Sequence, residues 1–153
     1  MLRCLTQAVC SRLASTIILG PVEEMAPRFC QQENPPPIGF IAFDLDSYSS
    51  TSAAFRIFDA ASDFLLPRIA SYFDDMVGDI DWAYDEFTGE LLAISEFNAG
   101  HPDNKVAPVR GLRFSFGRLP QGWHEQIFVA HLFRHPHYNR PISDLMQLPL
   151  GER

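Results

Sequence analysis

A chain of 153 residues, 46% hydrophobic and 12% aromatic, can build one domain with its own core and is too short for two comfortable ones. Its 19 acidic and 12 basic residues give a formal charge of -7, a field that repels phosphate backbones and anionic lipid surfaces and so argues against nucleic acid or membrane partners. No apolar run approaches the roughly 20 residues of a membrane span. Cys4, Cys10 and Cys30 are odd in number and not spaced as CxxC. They speak against a disulfide framework or zinc ribbon and for a reducing, cytoplasmic setting.

The opening "MLRCLTQAVCSRLAST" has two readings. Arg3 and Arg12 among Ser, Thr and Leu, with no acid before Glu23, suit a mitochondrial targeting segment. Leu2, Leu5, Val9 and Leu13 equally suit a partly buried helix. We treat residues 1–153 as a single domain, with 1–15 as that helix or targeting segment and 140–153 as a tail. The β-branched run "TIIL" at 16–19 predicts a strand ended by Gly20-Pro21, and 22–32 predicts a helix interrupted at Pro27. After the prolines at 35–37, the uninterrupted apolar run 38–43 has the pattern of a parallel strand.

From Thr51 the period becomes helical, with Ala54, Ile57, Phe58, Ala61, Phe64 and Leu65 at three- and four-residue steps and Ser49, Ser50 or Thr51 available as caps. Pro67 is expected to stop this helix, and "RIASYF" at 68–73 to form the next strand, completing a βαβ unit. A further helix is expected over 85–98, with Phe87, Leu91, Ile94 and Phe97 on one face. Alternation at Leu112, Phe114 and Phe116 and the apolar run 126–133 predict a closing antiparallel strand pair. The expected fold class is α/β.

Two strands joined by a right-handed crossover are parallel, so their carboxyl ends share one edge of the sheet. Neighbouring strands lie about 5 Å apart, which would bring Asp44 and Asp46 near Asp74 and Asp75, at the kind of crevice where open α/β sheets bind ligands. Carboxylates crowded there repel each other, so they must take up protons or share a cation, and hard oxygen donors favour Mg²⁺, Ca²⁺ or Mn²⁺ over zinc. The bland alternative is that Asp44 and Asp46 shape a loop while Asp74 and Asp75 cap a turn.

"FIAFDLDSYSSTSAAF" followed by "RIASYFDD" resembles the later half of class I S-adenosylmethionine-dependent methyltransferases, particularly the sugar-modifying macrocin O-methyltransferase type. The resemblance covers residues 16–139. It implies an incomplete Rossmann-like sheet of parallel strands with crossover helices and a C-terminal antiparallel pair. Asp46, Asp74 and Asp75 would correspond to metal-binding positions, with Asp44 as an outlying member. In that family Mg²⁺ or Mn²⁺ holds a hydroxyl of a small molecule or sugar, a base takes its proton, and the oxygen attacks the sulfonium methyl. His101 and His124 are base candidates only because histidine titrates near neutrality.

The family's glycine-rich cofactor turn has no counterpart, since no G-x-G precedes Ile38, and Gly20-Pro21 stands where relatives carry an acid. The resemblance therefore implies an amino-terminally shortened methyltransferase that does not hold S-adenosylmethionine by itself. The alternatives are a gene remnant or a non-catalytic interaction subunit whose exposed sheet edge pairs with a second copy or another chain.

A haloacid dehalogenase-like phosphatase also uses an aspartate pair after a strand. Tyr48 breaks that motif, and the one lysine, Lys105, follows both acidic clusters. His131, His135 and His137 could share a face of an extended strand as zinc ligands, but Pro136 and the lack of a fourth ligand favour a polar strand end. Trp82, Tyr84, Phe87 and Trp123 suit a core better than a substrate pocket.

Overall fold

The computed structural model describes residues 16–78, 85–114, 119 and 121–140. The expectations for residues 1–15, for Trp82, Tyr84 and Phe116, and for the tail beyond Arg140 lie outside the described residues. Two short helices, α1 (Val22–Met25) and α2 (Phe29–Glu33), flank a turn at the predicted break around Pro27. They are followed by β1 (Ile38–Phe43), α3 (Tyr48–Ala54), 3-10 turns at Phe55–Asp59 and Ser62–Phe64, β2 (Leu65–Phe73), α4 (Gly89–Gly100), β3 (Asn104–Pro108), 3-10 turns at Leu112–Phe114 and Gly122–Glu125, and β4 (Ile127–Leu132).

The molecule is mixed α/β. Its four-stranded sheet has the order β1-β2-β4-β3. β1 and β2 run parallel as neighbours, and β4 is antiparallel to both β2 and β3. This is the expected βαβ unit closed by an antiparallel pair. Ile41 and Phe43 of β1, Ile69 and Phe73 of β2, Val106 of β3, and Phe128, Ala130 and Leu132 of β4 are buried on one face. The rings of Phe43 and Phe73 stack at 4.6 Å, Phe55 meets Phe43 edge-on at 5.5 Å, and Phe97 of α4 lies 5.0 Å from Phe55. Offset and edge-on aromatic contacts of this kind add about 0.5–1.5 kcal/mol each beyond simple burial. They fix the helical layer over the parallel pair, and with it the loops at the carboxyl ends of β1 and β2.

Several elements differ from expectation for identifiable reasons. Residues 16–19 form no strand, and Ile17 and Leu19 are largely exposed: β propensity yields a strand only where a neighbour completes the ladder. The crossover helix begins at Tyr48 because Ser47 caps it, accepting from Ser50 N at 3.3 Å, while Thr51 is buried and donates its hydroxyl to Ser47 O at 3.1 Å. It tightens into 3-10 turns well before Leu65.

Pro67 lies inside β2. It sits where the β1 register skips between Ile38 and Phe40 and before the β4 pairing begins at Arg68, so no ladder bond requires its missing N–H. Phe87 precedes α4 in a turn, its N–H donating to Asp85 Oδ1 at 2.8 Å, and is 79% exposed. Trp123 is likewise exposed, so neither aromatic belongs to the core. The partner of β4 is Asn104–Pro108, whereas Leu112–Phe114 is a 3-10 turn with Phe114 exposed. Only Val106 of β3 is buried, and a strand with one inward residue leaves little apolar alternation to read.

Candidate functional site

The parallel pairing sets the site. Asp74 N donates to Phe43 O at 3.1 Å, extending the β1-β2 ladder by one residue and holding the Asp74-Asp75 turn beside the Asp44–Asp46 loop. Asp44, Asp46 and Asp74 are exposed and Asp75 half-buried. Burial first, then the nearby Asp46, Asp74 and Asp44 charges, push the Asp75 carboxyl above the usual range. The expected juxtaposition of the two aspartate pairs is therefore present, including its mutual repulsion.

Side chains from β2 and β4 fix the turn. Tyr72 donates its hydroxyl to Asp74 Oδ1 at 2.7 Å, which, with burial and the Asp74 charge, pushes the phenol up to about 12. Gln126 donates Nε2 to Asp74 O at 2.6 Å, and its own carbonyl accepts from Phe73 N at 3.0 Å. Asp74 is thus anchored through main chain and side chain, while the Asp44–Asp46 loop is held through the Ser47 cap.

The residue that the sequence reading missed is Glu90. It is 1% exposed, near the start of α4, and its Oε2 accepts from Asp75 N at 3.1 Å. Its Oε1 is buried without a hydrogen-bond partner. Burial, reinforced by Asp75 and Asp74, pushes its carboxyl up to about 8, so it is protonated at neutral pH. A sequence signal for this existed: Glu90, Ala93, Ile94 and Phe97 fall at helical spacing on the buried side of α4, so a carboxyl occupies an apolar stripe.

The two histidine candidates are held in different places. His101 follows α4 at the end opposite Glu90, about 16 Å along the helix at 1.5 Å per residue. Its ring packs on Phe97 at 4.2 Å with Nδ1 2.9 Å from Phe97 O, beside a shallow groove of about 240 Å³ lined by Ser52, Arg56, Asp59 and Glu96. His124 is buried just before β4, and its Nδ1 accepts from Gln121 N at 2.9 Å within a capping box.

The other histidines also leave the pattern of a common strand face, because β4 ends at Leu132. His131 Nδ1 lies 2.9 Å from Tyr138 Oη, and His135 Nε2 lies 3.1 and 3.0 Å from Ser62 O and Leu65 O.

The acidic edge offers hard oxygen donors in the Asp44, Asp46, Asp74 and Asp75 carboxylates, a chemistry that suits a divalent cation. Among the described residues, however, no three His, Cys, Asp or Glu side chains are close enough to enclose one ion. The arrangement fits a cation that keeps most of its water and touches one or two carboxylates, as Mg²⁺ commonly does, and not an all-protein cage. No described residue fits the sulfonium cofactor through a glycine-rich turn after a strand. No described helix is long and apolar enough to cross a membrane. Comparisons of the chain with models of protein families, with curated proteins and with solved structures found no match.

Proposed function

We propose that the acidic edge is the hydroxyl-binding part of a Rossmann-like, S-adenosylmethionine-dependent O-methyltransferase fold. In this reading one or two of Asp46, Asp74 and Asp75, with Asp44 as an outlying member, would hold hydrated Mg²⁺ or Mn²⁺ together with a small-molecule hydroxyl. The observation that carries it is the Asp74 N to Phe43 O bond, which brings two aspartate pairs to the carboxyl end of adjacent parallel strands. A bound divalent cation would supply Lewis acidity that lowers the pKa of the hydroxyl. The chain's own residues orient: Tyr72 and Gln126 steady Asp74, and Glu90 steadies the main chain of Asp75.

Two measurements test this reading. Saturating Mg²⁺ or Mn²⁺ should raise the melting temperature, and Asp74→Asn with Asp75→Asn should remove the rise. Binding to the folded state alone contributes about 2.7 kcal/mol at a hundredfold excess over Kd. An unchanged melting temperature in the unmodified chain would leave the aspartates as loop-shaping residues. Calorimetry of the 153-residue chain with S-adenosylmethionine should show no saturable binding at micromolar concentration, because no G-x-G turn precedes Ile38. Losing even two charge-assisted hydrogen bonds weakens binding by about two to four powers of ten. One site of micromolar affinity would make the chain an autonomous cofactor binder.

A second reading, a non-catalytic interaction subunit, is favoured by one feature: the outer edge of β1 carries no pairing partner among the described residues.

A further inference from the structure

The two edges of the sheet are built differently. β3 ends the sheet on one side with Lys105 and Pro108 in its five residues. Asn98 of α4 lies along its outer edge like one residue of a further strand, donating Nδ2 to Val106 O and accepting from Val106 N, both at 2.8 Å. Charge, proline and a covering side chain are the devices by which proteins stop edge strands from recruiting another chain.

Among the described residues, β1 at the other edge has none of them. Its six residues, IGFIAF, are uncharged and free of proline. Phe43 O accepts from Asp74 N on the β2 side, so backbone alternation turns the N–H and C=O of Ala42 and Phe40 outward. No described group outside the sheet bonds to them. Beside them Phe40 is 46% and Leu66 43% exposed.

We infer that β1 pairs with β1 of a second copy of this chain, antiparallel about a two-fold axis at Ile41, joining two sheets into one. The sequence of the strand is self-complementary in that register. The outward-facing Phe40 and Ala42 of one copy oppose Ala42 and Phe40 of the other as hydrogen-bonded pairs, large ring against small methyl. Ile41 opposes Ile41. Asp44 opposes Ile38, which keeps the two Asp44 charges at opposite ends of the paired segment, an arrangement tolerable for a chain of charge -7. A register that set Asp44 against Asp44 would be repulsive. The pairing is independent of the cation reading, since the edge is main chain and apolar side chain.

The test is light scattering on the full 153-residue chain combined with cross-linking. At roughly 100 µM the unmodified chain should have twice the 17.3 kDa mass of one copy. Phe40→Lys, which gives β1 the kind of guard that Lys105 gives β3, should weaken the dimer by roughly tenfold or more while leaving the circular dichroism spectrum unchanged. In a background with Cys4→Ser and Cys10→Ser, Ile41→Cys should form a reducible covalent dimer, because opposed residues of a non-hydrogen-bonded antiparallel pair lie within disulfide reach. Phe40→Cys should not, its symmetry mate being displaced along the strand. A monomer at that concentration overturns the proposal, as does a dimer indifferent to Phe40→Lys or one cross-linked through Phe40→Cys and not Ile41→Cys.

Discussion

The two edges of the sheet, and the two ends of the helix beside it, treat polar groups in opposite ways. At the β3 edge Asn98 uses both amide atoms on Val106, and Lys105 donates to Asn98 O. At the other end of the same helix Glu90 uses one carboxyl oxygen on Asp75 N and buries the other unpaired. A satisfied polar group near the core is what stability alone would select, since leaving such a group unpaired costs about 1–3 kcal/mol. The unpaired oxygen lies beneath the acidic turn at the end of β2, and the outer edge of the neighbouring β1 carries no pairing partner among the described residues. The contrast is between a β3 edge whose polar groups are satisfied by Asn98 and a β1-β2 side where, among the described residues, they are not.

The largest expected break in this contrast is Asn98→Ala. It strands Val106 N and O at once and uncovers the β3 edge, so stability should fall by about 2–4 kcal/mol in urea titration. If the loss is below about 1 kcal/mol, water replaces the amide readily and the β3 edge is not closed by Asn98.

Glu90→Gln probes the opposite end through pH. The Glu90 carboxyl is pushed from 4.5 up to about 8, so between these values the folded state holds a proton that the unfolded state has released. Stability should therefore be greatest, as far as this group is concerned, below pH 4.5, fall as pH rises, and level off above pH 8. Discounted for water reaching the turn, the loss is on the order of 2 kcal/mol. Glu90→Gln, which cannot ionise, should flatten this slope and be the more stable form at pH 9. Parallel pH-stability curves for the two proteins would remove Glu90 from the account.

The smallest effect is local to the acidic loop. Ser47→Ala removes the cap of α3 and should cost about 1 kcal/mol. If Mg²⁺ stabilisation weakens by the same change, the Asp44–Asp46 loop and the cation are coupled; an unaltered metal response would place the cation on Asp74 and Asp75 alone.

By itself the sequence determined the parallel pair. The apolar runs ending in Asp44 and Asp74, with a helical period between them, dictated a crossover, and a crossover dictates a shared carboxyl edge. Local chemistry likewise marked the break at Pro27 and the apolar run of β4. Only the tertiary structure decided the remainder, because it depends on partners distant along the chain. Residues 16–19 found no pairing neighbour among the described residues and formed no strand, whereas Asn104–Pro108, poor in apolar alternation, became one because β4 and Asn98 supplied its hydrogen bonds. The histidines were named for their intrinsic pKa, yet the fold sent His101 to the far end of α4 and set His124 in a cap. Glu90 was not singled out in the sequence, although its spacing to Ile94 and Phe97 puts it on the same side of α4. Burial beneath the Asp74-Asp75 turn made it a neutral acid, since desolvation depends on groups brought in from distant parts of the chain.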